Sequence, residues 1–360
     1  MMSKNSFDVS LFGQSHTNLN GEKLILVVKS LNQLERRKRL IEGREAGRFG
    51  RIAPRPVDVG LLVSGFLEDG KFVTVSTREY REPRHIVALS NGGYLLSEIS
   101  AIRQLNRNFE EVGVIENDRF GFLHTIDVHP SGTKILVVSS GYDSVIELDL
   151  DSKIETYIWN AWEHGFNPDA DGNWLTFNPT THERYRSEGK KTKLIDPADF
   201  GEQGLFTYFR TAHPNVARYV NEQGDFIVSI GHSGDVHIVT RSTGESRLAA
   251  SWFTPMPHGF LRHNTHWDVT NTTSGGWWRV DANFEPILGL SVAKLPGKPD
   301  ECGDAEWVQQ VVSKNDDLLF IDANRGLLAI NQSNHSLTHY TVPEHWCIQD
   351  AIFVSDTYRL

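Results

Sequence analysis

The chain has 360 residues, 39% of them hydrophobic and 23% charged, and a formal net charge of −10 at neutral pH. That balance argues against nucleic-acid phosphates or an anionic bilayer as main partner, because the mean field repels both. Apolar runs such as Leu24 to Val28 are far too short to span a membrane, so no membrane span is expected.

The opening MMSKNSFDVS has no apolar core of a secretion signal, which points to a cytoplasmic protein. Two cysteines, Cys302 and Cys347, are too few for a disulfide framework and lack the spacing of a structural zinc site. Lys23 to Val28 reads as a strand. Residues 30–48, rich in Lys, Arg and Glu, read as an exposed helical insertion.

From about residue 57 the chain becomes a series of short β-runs separated by turn signals. The clearest unit is HTIDVHPSGTKILVVSSGYDSVIELDLDSKIETYIWN, which reads as four strands joined by PSG, SGYD and LDS turns. Similar units are expected over 57–99, 124–160, 164–208, 213–252, 258–290 and 305–342. The final WCIQDAIFV reads as a lone first strand that pairs with the strand from Lys23 and closes a ring. The expectation is one all-β domain over 1–360, a propeller of four-stranded antiparallel blades. Seven blades are favoured and six are the alternative; residues 185–202 read as a long loop.

Five histidines, His124, His164, His213, His258 and His345, stand at or just before the expected first strands. First strands line a propeller's channel, so one such residue per blade would form a ring on the axis. Neutral imidazoles there need partners for both nitrogens, and a divalent transition metal satisfies several at once. These five are therefore the candidate metal ligands, with iron favoured and manganese, copper or zinc as alternatives. Asp127, Glu306 and Asp350 lie further along first strands and are the candidate catalytic acids or bases. His129, His232, His237, His335 and His339 read as turn or surface residues.

TAHPNVARYVNEQGDF around His213 and MPHGFLRHNTHWDV around His258 resemble ligand segments of the carotenoid cleavage oxygenases. The resemblance implies a seven-bladed propeller, a non-haem iron held by histidines including His213 and His258, and cleavage of double bonds with dioxygen. GDAEWVQQ stands where that family carries another ligand motif.

The functional expectation is a metal-dependent enzyme, an oxygenase-like oxidoreductase acting on a small organic substrate. A metal-dependent lyase and a non-catalytic interaction scaffold are the alternatives. No P-loop, GxSxG elbow or HExxH occurs, so those mechanisms have no support.

Overall fold

In the computed structural model, which describes residues 6–14, 19–45, 47, 53, 55–253 and 256–354, six antiparallel sheets surround one axis. Blade 1 is built from both ends of the chain. Its inner strand Cys347–Phe353 pairs with Lys23–Ser30, followed by Val59–Glu68 and Lys71–Arg81. Blades 2 to 6 begin with the inner strands His85–Ala88, Leu123–Val128, Pro214–Tyr219, Pro257–Arg262 and Val308–Lys314. Two short N-terminal strands, Ser6–Asp8 and Gly13–Gln14, add in parallel to the outer edges of blades 5 and 6. They cover edges that would otherwise expose unpaired backbone groups.

Strand periodicity explains why the sheets stand upright around the axis. In Lys23–Ser30 the side chains of Leu24, Leu26 and Val28 pack against blade 6, while Ile25 and Val27 pack against blade 2. Both faces of a blade are therefore apolar. Each of the six gaps between neighbouring blades holds its own hydrophobic cluster. Full burial of one Leu or Val side chain contributes roughly 1.5–3 kcal/mol, so each gap is a core in its own right.

The ring has the smaller of the two expected blade numbers. Residues 164–208 make no blade; they form a cap between blades 3 and 4. Trp174–Thr176 pairs with Thr192–Leu194 in parallel, and helix α2, Pro179–Ser187, connects them. Asn178 caps α2 by accepting from the N–H groups of Thr180 (2.8 Å) and Thr181 (3.2 Å). Two 3₁₀ turns, Pro197–Asp199 and Gly201–Gln203, complete the stretch 185–202. Nor is 57–99 one blade, because Val59–Arg81 completes blade 1 and His85 opens blade 2.

The cap docks on blade 3 through backbone. A Cβ at Gly141 would meet the Gly121 carbonyl oxygen at 2.5 Å, and one at Gly204 would meet that of Gly141 at 2.5 Å. Only hydrogen side chains permit this approach, which the Leu205 N–H to Gly141 O bond (2.8 Å) closes. Near blade 6, helix α1, Gln33–Glu45, donates from Gln33 Nε2 to the Ala323 carbonyl at 2.8 Å. Cys302 and Cys347 are buried free thiols. Among the described residues no helix is long and apolar enough to cross a membrane.

Candidate channel site

Five of the six inner strands carry a register shift near their start. The residues within these irregularities are His124 and Thr125, Asn215 and Val216, His258, Gln309, and Gln349. A bulge interrupts alternation and re-aims a side chain. Together with Arg84 and His85 at the head of blade 2, these positions set a polar girdle where the strands converge. A cavity of about 10 Å³ open to the centre of a water molecule lies inside it. Arg84, His85, His124, Thr125, His258, Gln309, Gln310, Gln349 and Asp350 form its wall. It admits one water-sized atom and no organic body.

Three of the five candidate metal ligands meet here. The His124 ring centroid lies 5.2 Å from that of His258 and 5.6 Å from that of His213. His258 donates from Nδ1 to the Gln309 carbonyl (3.1 Å), which leaves Nε2 as an acceptor towards Gln349 Nε2 (3.4 Å). His213 accepts at Nδ1 from Arg210 Nη1 (3.0 Å). The nitrogens of His124 have no hydrogen-bond partner among the described residues. Burial pushes His124, His213 and His258 below the ordinary histidine range, and His258 falls to about 3; neighbouring cations push the same way. All three are neutral imidazoles at physiological pH.

His213 has a left-handed backbone, φ +51°, a conformation that costs a side-chain-bearing residue on the order of 1 kcal/mol. Asp143 supports it. This fully buried carboxylate accepts from the N–H groups of His213 (2.7 Å) and Thr211 (2.7 Å) and from Trp162 Nε1 (3.0 Å).

The other two candidate ligands lie elsewhere. His164 is half-buried in a 3₁₀ turn and stacks on Trp159 at 5.4 Å, away from the girdle. The resemblance of WEHGF to MPHGF misleads because Gly165 ends a turn at φ +93°, whereas Gly259 continues an inner strand. His345 is exposed in the turn before the inner strand of blade 1. Two histidines without an expected channel role do line or flank the site. His85 holds Nε2 3.0 Å from Arg218 Nη2 and 3.7 Å from Asp350 Oδ2. His232 stacks on His213 at 5.6 Å with nearly parallel rings, so it is no surface residue.

The carboxylates separate in the same way. Asp350 lines the cavity, and burial raises it to about 7 although it accepts from the N–H groups of Ile86 and Ala351. Asp127 lies further down the channel. It accepts from the Tyr219 N–H at 2.8 Å and sits 3.5 Å from Arg218. Glu306 is outside the wall and buried in ion pairs with Arg325 and Lys298, each at 2.7 Å.

Beside the girdle stands a group of cations drawn from distant parts of the chain. Lys29 donates to Gln349 Oε1 at 2.5 Å. Desolvation, with Arg36 and Arg84 nearby, lowers its ammonium to about 7. Burial likewise brings Arg84 down to about 10. Glu82, fully buried, takes ion pairs from Arg84, Arg55 and Arg36, and these hold it far below the carboxylate range against the effect of burial. Arg36 also reaches Asp58 at 2.9 Å. The guanidiniums of Arg84 and Arg210 lie 3.7 and 4.2 Å from the Phe122 ring centre. Arg36, Arg55, Arg84, Arg210 and the partly protonated Lys29 thus outnumber Glu82, Asp58 and Asp143.

Among the described residues, the group of histidine and carboxylate atoms close enough to share a metal ion lies outside the channel. His263, His266 and Asp268, on the hairpin between the first two strands of blade 5, have ligand atoms within 4.8 Å of one another. Arg279 already holds Asp268 through contacts of 2.9 and 3.2 Å.

No family model and no curated protein matches the chain. The resemblance to carotenoid cleavage oxygenases therefore gains no support, and the six blades depart from the seven it implied. Similar solved structures exist. One is a chain of a nidogen/laminin complex, with 9% identity and a TM-score of 0.53 over 91% of this chain and 97% of that one. Another is a protein of unknown function from Bacteroides caccae, with 11% identity and a TM-score of 0.52 over 94% and 100%. At such identities the likeness shows the propeller fold alone.

Proposed function

We propose that the channel mouth binds the oxyanion group of a small molecule and exchanges protons with it. The buried excess of cations beside the cavity carries this reading. Ammonium and guanidinium groups taken out of water without matching carboxylates are costly, and an anion arriving at them recovers that cost. Arg84, whose Nη2 is bonded to Glu82 and whose buried Nε has no partner among the described residues, brings guanidinium N–H groups suited to carboxylate, phosphate or sulfate oxygens, and the cavity takes one such oxygen. Lys29, near 7, is poised to give or take a proton at neutral pH, and Asp350 shares that range deeper in the wall.

Calorimetric titration with sulfate, phosphate and acetate tests it. An anion raises the Lys29 pKa, so affinity should weaken several-fold from about pH 6 to about pH 8, and Arg84→Gln should cost roughly tenfold or more. Absence of binding by all three anions at tens of millimolar refutes the reading.

The meeting of His124, His213 and His258 supports a second reading, the metal-dependent oxidoreductase or lyase, with iron, manganese, copper or zinc on the axis. The surrounding cations oppose it, since a metal ion would add positive charge to them. Elemental analysis separates the two. Near-stoichiometric metal that disappears in the His124→Ala, His258→Ala double variant favours the metal; metal-free protein that binds oxyanions favours the first reading.

A further inference from the structure

The cap holds a second cavity that shares no wall residue with the channel. Its volume is about 150 Å³, and Leu175, Phe200, Leu205, Phe206 and Phe209 line it, with the buried Asp169 in the wall and the half-exposed Lys193 at the rim. Its inner side belongs to a small core, Tyr142, Trp162, Leu175, Ile195 and Leu205, that joins the cap to blade 3. We propose that this cavity binds an uncharged single-ring aromatic group.

Size, lining and charge each narrow the ligand. A dry apolar cavity of about 150 Å³ lined by Leu, Ile and Phe holds benzene, whereas a fused ring system exceeds it. Three phenylalanines offer ring edges and faces, and Lys193 Nζ lies 5.5 Å from the Phe209 ring centre, so the rim already hosts a cation beside an aromatic face. An anionic ligand is disfavoured because the Asp169 carboxylate lies 3.7 Å from the same ammonium. Asp169 is in turn held by the N–H groups of Asp171 (2.9 Å) and Asn173 (2.8 Å), which fixes its position. The Lys193 side chain is about half exposed and can bend over an occupant.

Full-length protein would be titrated with toluene and, separately, methylcyclohexane, using calorimetry and ligand-observed NMR. Toluene should bind with a dissociation constant of roughly 0.1 to a few mM, as ligands of so few atoms do. It should bind several-fold more tightly than methylcyclohexane, and Lys193→Gln should erase that preference. Leu205→Phe narrows the cavity and should abolish binding. Phe206→Ala, at a half-exposed position, widens it and should admit naphthalene; this variant keeps the test alive if Leu205→Phe does not fold. Equal binding of the two hydrocarbons overturns the aromatic assignment. Failure of toluene to bind, or binding unchanged in both wall variants, overturns the site.

Discussion

Mild acidification should destabilise this propeller. His85, His124, His213 and His258 are all buried, and all four sit below the ordinary histidine value of 6.5, so they are neutral in the folded state. Unfolded, each takes a proton near its ordinary value. Between about pH 7.5 and about pH 5.5 each therefore removes about 1.4 kcal/mol of stability, or about 5 kcal/mol for the four. Lys29, lowered from 10.5 to about 7, adds about 1 kcal/mol to the loss, because the unfolded chain is fully protonated there and the folded one only partly. Asp350, raised to about 7, works the other way: the folded state takes up its proton first and returns about 2 kcal/mol. The net loss is about 4 kcal/mol, a large fraction of the stability of most domains. Urea midpoints followed by tryptophan fluorescence at three pH values across this window measure it. His258→Gln should reduce the loss by about 1.4 kcal/mol, and Asp350→Asn should deepen it by about 2 kcal/mol. A wild-type loss below about 1.5 kcal/mol would refute the picture of neutral, water-excluded imidazoles.

Glu82→Gln keeps shape but removes the charge at the centre of Arg36, Arg55 and Arg84, so it should destabilise by about 3–5 kcal/mol at neutral pH. Because Glu82 is depressed in the folded state, the gap to wild type should stay full above about 4.5 and narrow only as pH falls below it, which paired denaturation curves would reveal. Gly141→Ala forces a Cβ onto the Gly121 carbonyl and should cost about 1–3 kcal/mol, with faster proteolysis inside 164–208 as the readout. His124→Ala should alter oxyanion binding measured by calorimetry, whereas His164→Ala should leave it unchanged, since only His124 faces the cavity.

Much of the ring was legible because a blade repeats one local pattern of apolar alternation and turn residues. His124, His213 and His258 fell in phase with real inner strands for that reason. The blade number was not legible, since NPDADGNWLTF has the look of a strand and turn. Its Asp169, however, closes the turn on Asp171 and Asn173, and Trp174–Thr176 then pairs in parallel outside the ring. His85 escaped because PRHIVAL was read as the third run of a blade rather than the first of the next. The cation group had no local cue at all. Lys29, Arg36, Arg55, Arg84 and Arg210 come from five segments that only the closed ring and the docked cap bring to one place.

The bond between Lys29 and Gln349 joins residues 320 positions apart and lies within blade 1, the sheet that closes the ring. Contacts of such separation are among the last and slowest to form, because the intervening chain must first be ordered. A growing chain can stack blades 2 to 6 while its cavity still lacks the wall formed by Gln349 and Asp350. The oxyanion binding proposed at the mouth would thus be reserved for finished molecules, and a ligand held there would act as a latch on the seam, its binding free energy opposing the separation of the two halves of blade 1.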